Sequence, residues 1–169
     1  MERSWLIFFH GRSGFGWKTL DVMRRCQLPL SELARMRLDE IRQLLRFPLM
    51  DKIWQGPYSF DQCQTYVAGL SENVGEIMTI DDADYPPLLK EIDTPPWVLY
   101  LKGNRRMLNH RMLAIVGTRK PTNYGRMIAH NFAKALSERE WTVVSGMAVG
   151  VDAESHYGAL SGPGKTVAV

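Results

Sequence analysis

Residues 113–119 read Leu-Ala-Ile-Val-Gly-Thr-Arg, and this stretch decides the fold of the chain. Its apolar part, residues 113–117, has the uninterrupted pattern typical of a strand buried on both faces of a parallel sheet. Residues 142–146 (Thr-Val-Val-Ser-Gly) and 166–169 (Thr-Val-Ala-Val) have the same apolar, β-branched character. The chain therefore contains three candidate strands of one buried sheet.

Helical patterns separate these strands. Ile128, Phe132 and Leu136 are spaced one turn apart and share one face of a predicted helix. A second helix is predicted through His156 and Leu160. Alternation of strand and helix predicts an α/β domain with a doubly wound parallel sheet. Because the chain ends within the third strand, we expect this sheet to be truncated at its C-terminal side.

Residues 1–73 have the pattern of a small all-helical domain. Ser31 and Asp39 each precede apolar residues at helical spacing, so we expect each to cap a helix. Ser59 is expected to cap a third helix in the same way.

Two short runs in the middle of the chain predict strands. Residues 77–80 and 97–101 are rich in β-branched and aromatic side chains. We place the domain boundary just before them, so that the helical domain spans residues 1–73 and the α/β domain spans residues 74–169.

Composition limits the partners and the compartment. The 169 residues are 45% hydrophobic, with a net charge of +3 and a pI of about 8.9, which permits a polyanionic partner without requiring one. Cys26 and Cys63 lack the spacing of metal ligands, which favours reduced thiols. Residues 5–9 are too short for a signal sequence, and no apolar run reaches the roughly 18 residues of a membrane span. We expect a cytoplasmic protein with no membrane contact.

Two glycine-containing loops follow the first and second strands of the α/β domain, at residues 117–125 and 145–152. Ligands of open α/β sheets bind at the carboxyl ends of strands, where glycines and helix N-termini present backbone N–H groups to anions. Arg119 adds a planar set of donors suited to phosphate. The alternative is a structural arginine that pairs with Asp152 or Glu154. The loops favour a phosphate-bearing ligand.

Common cofactor and catalytic motifs do not occur. Residues 117–125 lack Gly-x-Gly-x-x-Gly spacing, and the sequence has no Gly-x-x-x-x-Gly-Lys-Ser/Thr loop. Ser145 has no evident base. Asp152 is expected to cap the following helix, and His156 to hold the loop through local contacts, with a general base as the alternative. We predict no catalytic residue, no cofactor and no metal.

A glycine-containing turn also lies near the N-terminus. Residues 14–18 read Gly-Phe-Gly-Trp-Lys, between the first apolar run and the next predicted helix. Such a turn can present N–H groups and a lysine to a phosphate, as helix-hairpin-helix modules do. The alternative is a tight connection between two helices, and the single copy of the motif favours it.

The motifs of the two α/β loops resemble those of the DprA/Smf family. They are Ala-Ile-Val-Gly-Thr-Arg at 114–119, Tyr-Gly at 124–125, Ser-Gly-Met-Ala at 145–148 and Gly-Val-Asp at 150–152. Upstream, Asp-Tyr-Pro-Pro-Leu-Leu at 84–89 is similar to the family as well. The resemblance implies a Rossmann-like domain preceded by a helical domain of sterile-alpha-motif type.

The same resemblance implies a function without catalysis. Its members are expected to bind single-stranded DNA during DNA uptake, natural transformation and recombination, to protect the incoming strand and to load RecA, as homodimers when full length. The residues that match the DNA-binding motifs are Gly117, Thr118, Arg119, Lys120, Tyr124, Gly125, Ser145, Gly146, Ala148, Gly150 and Asp152.

Two positions depart from the family pattern. Val149 stands where the family often has a larger or basic residue, which is expected to weaken DNA contact. Ser155 stands where alanine is usual.

Two other functions remain open. The first is a Rossmann-like phosphoribohydrolase of the lysine-decarboxylase-like type, which is expected to carry a Pro-Gly-Gly-x-Gly-Thr loop with a glutamate. Residues 162–164, Gly-Pro-Gly, are not that loop. The second is a nucleotide-sensing module.

Overall fold

The computed structural model describes residues 2–169, which form two compact units. The first unit ends at Gly103, and the second comprises Asn104–Val169. Within residues 2–169, none of the helices has the length and apolar character needed to cross a membrane.

The first unit is built around a buried helix. Its helices are α1 (Glu2–His10), α2 (Trp17–Arg25), α3 (Leu30–Leu33), α4 (Leu38–Leu45), α5 (Met50–Ile53) and α6 (Phe60–Val74). All side chains from Trp5 to Phe9 in α1 are at most 2% exposed. Five consecutive apolar residues cover every side of a helix, so this segment is stable only when other elements surround it. Helix α1 is therefore the centre of this unit.

One of the three predicted helix caps is confirmed. Ser59 accepts a hydrogen bond from the Gln62 N–H at 3.2 Å, and α6 starts directly after it. The prediction for Ser31 was wrong, because α3 begins one residue earlier, at Leu30, whose N–H donates to the Glu2 carboxylate at 2.6 Å. The prediction for Asp39 was also wrong, since it lies inside the first turn of α4.

A β-hairpin completes the first unit. Strands β1 (Glu76–Thr79) and β2 (Val98–Leu101) pair antiparallel, and α7 (Pro87–Lys90) lies between them in sequence. Both strands agree with the sequence prediction to within one residue. Ile77 and Val98 belong to the same buried core as the helices. The compact unit thus includes the hairpin and extends beyond the boundary that we predicted between residues 73 and 74.

The second unit has the predicted alternation of strands and helices. After a short 3₁₀ helix (Arg105–Asn109) come β3 (Met112–Ala114), α8 (Asn123–Ser137), β4 (Thr142–Ser145), α9 (Val151–Leu160) and β5 (Thr166–Ala168). The strands form a parallel sheet in the order β3-β4-β5, with Leu113 opposite Val143. The predicted α/β fold class is confirmed.

Small residues bring the two helices of this unit together. A Cβ atom at Gly158 of α9 would lie 2.2 Å from the His130 carbonyl oxygen of α8, so only glycine allows this approach. Ala133, Val143 and Ala159 form the buried cluster between helices and sheet. Ile128 and Phe132 share a helical face as predicted, but they are 46% and 51% exposed, because α8 buries its alanine-rich face instead.

Strand β3 is less buried than its apolar sequence predicts. It ends at Ala114, and Val116 beyond its end is 73% exposed. The strand lies at an edge of the three-stranded sheet, so a neighbouring strand covers it on one side only. Strand β4, in the centre of the sheet, is mostly buried.

Candidate nucleic-acid interface

The candidate interface lies at the carboxyl edge of the parallel sheet in the second unit. Strands β3 and β4 are adjacent and run in the same direction, so the loops that follow them leave from the same edge. The first loop leads into α8 and the second into α9. This arrangement places two helix N-termini, which attract anions, next to each other.

Asp152 connects the two loops. It is 8% exposed, and its Oδ1 accepts a hydrogen bond from the backbone N–H of Gly117 at 3.3 Å. A Cβ atom at Gly146 would lie 2.6 Å from its Oδ2, so the second loop passes against the same carboxylate. The N-cap of α9 is Gly150, so the prediction that Asp152 caps this helix was wrong. The carboxylate binds the other loop instead.

Gly150 allows the backbones of the two loops to touch. Its φ of +97° lies in the region that favours glycine. A Cβ atom here would lie 2.4 Å from the Thr118 carbonyl oxygen and 2.8 Å from Cα of Arg119. The N–H of Val151 also donates to the Thr118 carbonyl at 3.2 Å. The start of α9 therefore holds the backbone that carries Arg119.

Two hydroxyl groups order the rest of the first loop. The Thr118 hydroxyl accepts a hydrogen bond from the Lys120 N–H at 3.1 Å. Thr122 is the N-cap of α8 and accepts from the Gly125 N–H at 3.1 Å. Tyr124, in the first turn of α8, is 69% exposed. The loop is thus held by its own hydrogen bonds while its side chains face solvent.

The Arg119 side chain is free to meet a ligand. It is exposed, and within residues 2–169 no hydrogen bond or ion pair engages it. The two carboxylates considered as structural partners have other contacts. Asp152 accepts the Gly117 N–H, and Glu154 pairs with Arg126 at 3.1 Å.

Ser145 and His156 bind backbone carbonyls at the start of the two loops. The buried Ser145 hydroxyl donates to the Ile115 carbonyl at 2.5 Å, which ties β4 to the end of β3. Nε2 of His156 donates to the Gly146 carbonyl at 3.0 Å, and Nδ1 shares a hydrogen bond with the Thr166 hydroxyl at 2.6 Å. His156 therefore holds the second loop, in agreement with the prediction.

The two departures from the family pattern occupy different surroundings. Val149 is 69% exposed on the second loop, beside Met147 at 83%. Ser155 is buried, and its hydroxyl donates to the Val151 carbonyl within α9 at 2.8 Å. The Val149 side chain is accessible to a ligand, whereas the Ser155 hydroxyl is hydrogen-bonded within α9.

Six of the predicted site residues come together through these contacts: Gly117, Thr118, Arg119, Gly146, Gly150 and Asp152. Lys120, Tyr124 and Gly125 follow on the first loop and in the first turn of α8, and Ala148 is half-buried on the second loop.

Two contacts near the site were not predicted from the sequence. They are the Arg126–Glu154 ion pair and the hydrogen bond between Thr166 and His156. The first was accessible from sequence, because both residues lie in the first turns of helices that start at the same edge. In residues 2–169, no three His, Cys, Asp or Glu side chains are grouped to hold a metal ion.

Named proteins are similar to the C-terminal half of this chain, which includes the candidate interface. The family of the DNA recombination-mediator protein A matches residues 76–169. DNA processing protein DprA of Bacillus subtilis is 40% identical over 91 residues, which are 53% of this chain and 31% of that protein. Protein Smf of Synechocystis sp. is 43% identical over 101 residues, covering 56% of this chain and 25% of its own length.

A solved structure extends the similarity to the N-terminal helices of the first unit. The X-ray structure of DNA processing protein A (DprA) from Streptococcus pneumoniae matches 98% of this chain and 56% of its own, with a TM-score of 0.67 and 27% identity. This chain thus covers between a quarter and a third of the curated relatives named above and just over half of the solved one. Since the family match includes more than half of the residues, the chain belongs to the DNA recombination-mediator protein A family, the DprA/Smf family.

Proposed function

We propose that this protein binds single-stranded DNA at the carboxyl edge of its parallel sheet. The observation that carries the proposal is the exposed, unpaired Arg119 on a backbone held by Gly150 and Asp152. An arginine fixed at its backbone and free at its guanidinium is suited to bind a phosphate without reorganising the loop. Backbone N–H groups at the start of α8 and α9 add to the attraction for phosphate.

In the cell, the protein is proposed to act in DNA uptake and recombination during natural transformation. The names of its relatives, DNA processing protein and recombination-mediator protein, support this role. The finer proposal is that it protects an incoming single strand and loads RecA onto it, as a cytoplasmic homodimer when full length.

We further propose that binding involves no catalysis. Ser145 and His156, the residues considered for hydrolysis, both form hydrogen bonds that hold the structure. Ser145 donates to the Ile115 carbonyl, and His156 is held between Gly146 and Thr166. Within residues 2–169, no hydrogen bond joins the side chains of Ser145 and His156.

A competition experiment tests the binding proposal. A labelled single-stranded oligonucleotide is bound to the protein and displaced by unlabelled single strand, by duplex of the same sequence, or by mononucleotides. We expect single strand to compete best, and the affinity to fall steeply with salt because phosphate contacts release counterions. Equal competition by duplex would contradict single-strand binding, and strong competition by mononucleotides would favour a nucleotide-sensing module instead.

A further inference from the structure

A second arginine without an acidic partner lies in a cleft of the first unit. The turn between α1 and α2 and residues from two other segments line an open cleft of about 300 Å³. The lining residues are Gly11, Arg12, Ser13, Ile53, Gln55 and Tyr66. None of them is acidic, so Arg12 is the only formal charge among them.

Arg12 is held by its aromatic neighbours and not by hydrogen bonds. Its guanidinium carbon lies 4.3 Å from the ring centre of Phe8 and 5.0 Å from that of Tyr58. Its Nε is buried and has no hydrogen-bond partner among residues 2–169. A buried donor of a charged group is costly to leave unpaired. The faces of the guanidinium rest on aromatic rings, while its buried Nε lacks an acceptor among residues 2–169.

The backbone around Arg12 is fixed in a tight turn. The Arg12 N–H donates to the Phe9 carbonyl at 3.0 Å, and the Arg12 carbonyl accepts from the Phe15 N–H at 3.2 Å. The Tyr66 hydroxyl donates to the Gly11 carbonyl at 3.2 Å, and a Cβ at Gly11 would collide with that hydroxyl. The turn that carries Arg12 is therefore held by backbone hydrogen bonds, and the Tyr66 ring packs directly against Gly11.

We propose that the Arg12 cleft is a binding site for a phosphate group. An anion there would pair with the Arg12 guanidinium, which has no acidic partner among the lining residues, and Ser13 and Gln55 among them carry further polar groups. The cleft volume accommodates a phosphate or phosphodiester group. The site is separate from the Arg119 edge, which belongs to the other unit, and the proposal does not depend on that edge binding DNA.

Lys18 does not enter this proposal. It belongs to the glycine-containing turn at residues 14–18, and no residue of that turn lines the cleft. The proposed site therefore involves residues 11–13 and not residues 14–18, for which the sequence favoured a tight connection between two helices.

The test uses amide chemical shifts of the protein during titration with inorganic phosphate. We expect saturable shifts at Gly11, Arg12 and Ser13 that chloride at equal ionic strength does not produce. In Arg12→Gln, we expect the affinity for phosphate to fall roughly tenfold or more, because a charge-assisted hydrogen bond is lost. The control is Arg35→Gln, which removes an exposed arginine of the same unit outside the cleft and should leave the titration unchanged.

A second variant, Ser13→Glu, tests the proposal if Arg12→Gln does not fold. Ser13 is exposed, so Ser13→Glu keeps the core intact and places a carboxylate at the cleft wall. This carboxylate is expected to pair with Arg12 and abolish the phosphate shifts. The proposal is overturned if phosphate does not shift residues 11–13 of the wild-type protein, or if Ser13→Glu binds phosphate as well as the wild type does.

The source of the phosphate is settled by a parallel titration with a single-stranded oligonucleotide. If the oligonucleotide shifts residues 11–13 and Arg12→Gln removes these shifts, the site takes a DNA phosphodiester. If only phosphate or a mononucleotide shifts them, the site takes a small phosphate. Arg119→Ala distinguishes this site from the sheet edge, because it should leave the phosphate shifts at residues 11–13 unchanged.

Discussion

The buried carboxylate of Asp152 accepts a hydrogen bond from the backbone N–H of Gly117, 35 residues earlier in the chain. The bond joins the start of α9 to the end of β3, across the edge where a ligand is proposed to bind. Because Gly117 lies two residues before Arg119, this hydrogen bond fixes the backbone that leads to that arginine.

Asp152→Ala should therefore weaken both the fold and the binding. We expect the free energy of unfolding of the second unit to fall by about 1 kcal/mol, since the Gly117 N–H loses its partner and water replaces it in part. Affinity for single-stranded DNA should fall as well. Native-state hydrogen exchange of the β4 amides measures the first effect. Glu154→Ala, which breaks only the partly exposed pair with Arg126, should cost at most about 0.5 kcal/mol; an equal loss in both variants would argue against a special role for Asp152.

Gly150→Ala is expected to be among the most damaging small substitutions in the second unit. The added Cβ meets the Thr118 carbonyl and Cα of Arg119 at a positive φ, so we expect a loss of at least about 2 kcal/mol. Gly103 has a φ of +115° but open space around a Cβ, so Gly103→Ala should cost only about 1 kcal/mol. Chemical denaturation of both variants compares them. Equal losses would show that backbone strain alone matters, without close contact between the loops.

Val149→Lys is expected to increase the affinity for single-stranded DNA. Val149 is 69% exposed on the second loop, so a lysine adds a positive charge there without disturbing the core. The slope of log affinity against log salt should steepen by about 0.7, the value for one more phosphate contact on a single strand. Leu160→Lys adds the same charge at the C-terminal end of α9 and should have a smaller effect. If both lysines act alike, only net charge matters and the second loop is not part of the interface.

Local patterns were predictable from the sequence, and contacts between distant segments were not. The Ser59 cap was predictable because its partner, Gln62, lies three residues away. The Ser31 cap was wrong because Glu2, on another helix, binds the start of α3. The strands and helices of the second unit were found from apolar spacing, but the side of α8 that is buried depends on how closely α9 approaches at Gly158.

The candidate site shows the same division. Its residues were found from their motifs and from the rule that ligands bind at the carboxyl ends of parallel strands. The role of Asp152 was not, because the Gly117 N–H becomes its partner only when β3 and β4 pair. A capping aspartate and a loop-joining aspartate look alike in a sequence.

Asp82 should make the first unit sensitive to acid. Burial raises the pKa of this carboxyl, but hydrogen bonds from Thr79 and Arg3 outweigh burial, so its pKa lies below the usual 3.8. A carboxyl with a lower pKa in the folded state stabilises the protein above its unfolded pKa, and this contribution is lost as the pH falls through the folded value. We therefore expect the difference in melting temperature between wild type and Asp82→Asn to shrink from roughly pH 5 down to pH 2. A difference that stays constant over this range would contradict the assignment.

The most direct test of the proposed function is the affinity of Arg119→Ala for single-stranded DNA, measured together with its melting temperature. We expect binding to weaken by roughly 1–3 kcal/mol, the scale of a charge-assisted hydrogen bond, and by nearly the same amount for every DNA sequence, because phosphate contacts carry no sequence information. The melting temperature should not change, since Arg119 has no partner within residues 2–169. Lys134→Ala, which removes an exposed charge in the last turn of α8, should leave both quantities close to wild type. A lower melting temperature with unchanged affinity of the folded protein would contradict the account and make Arg119 a structural residue.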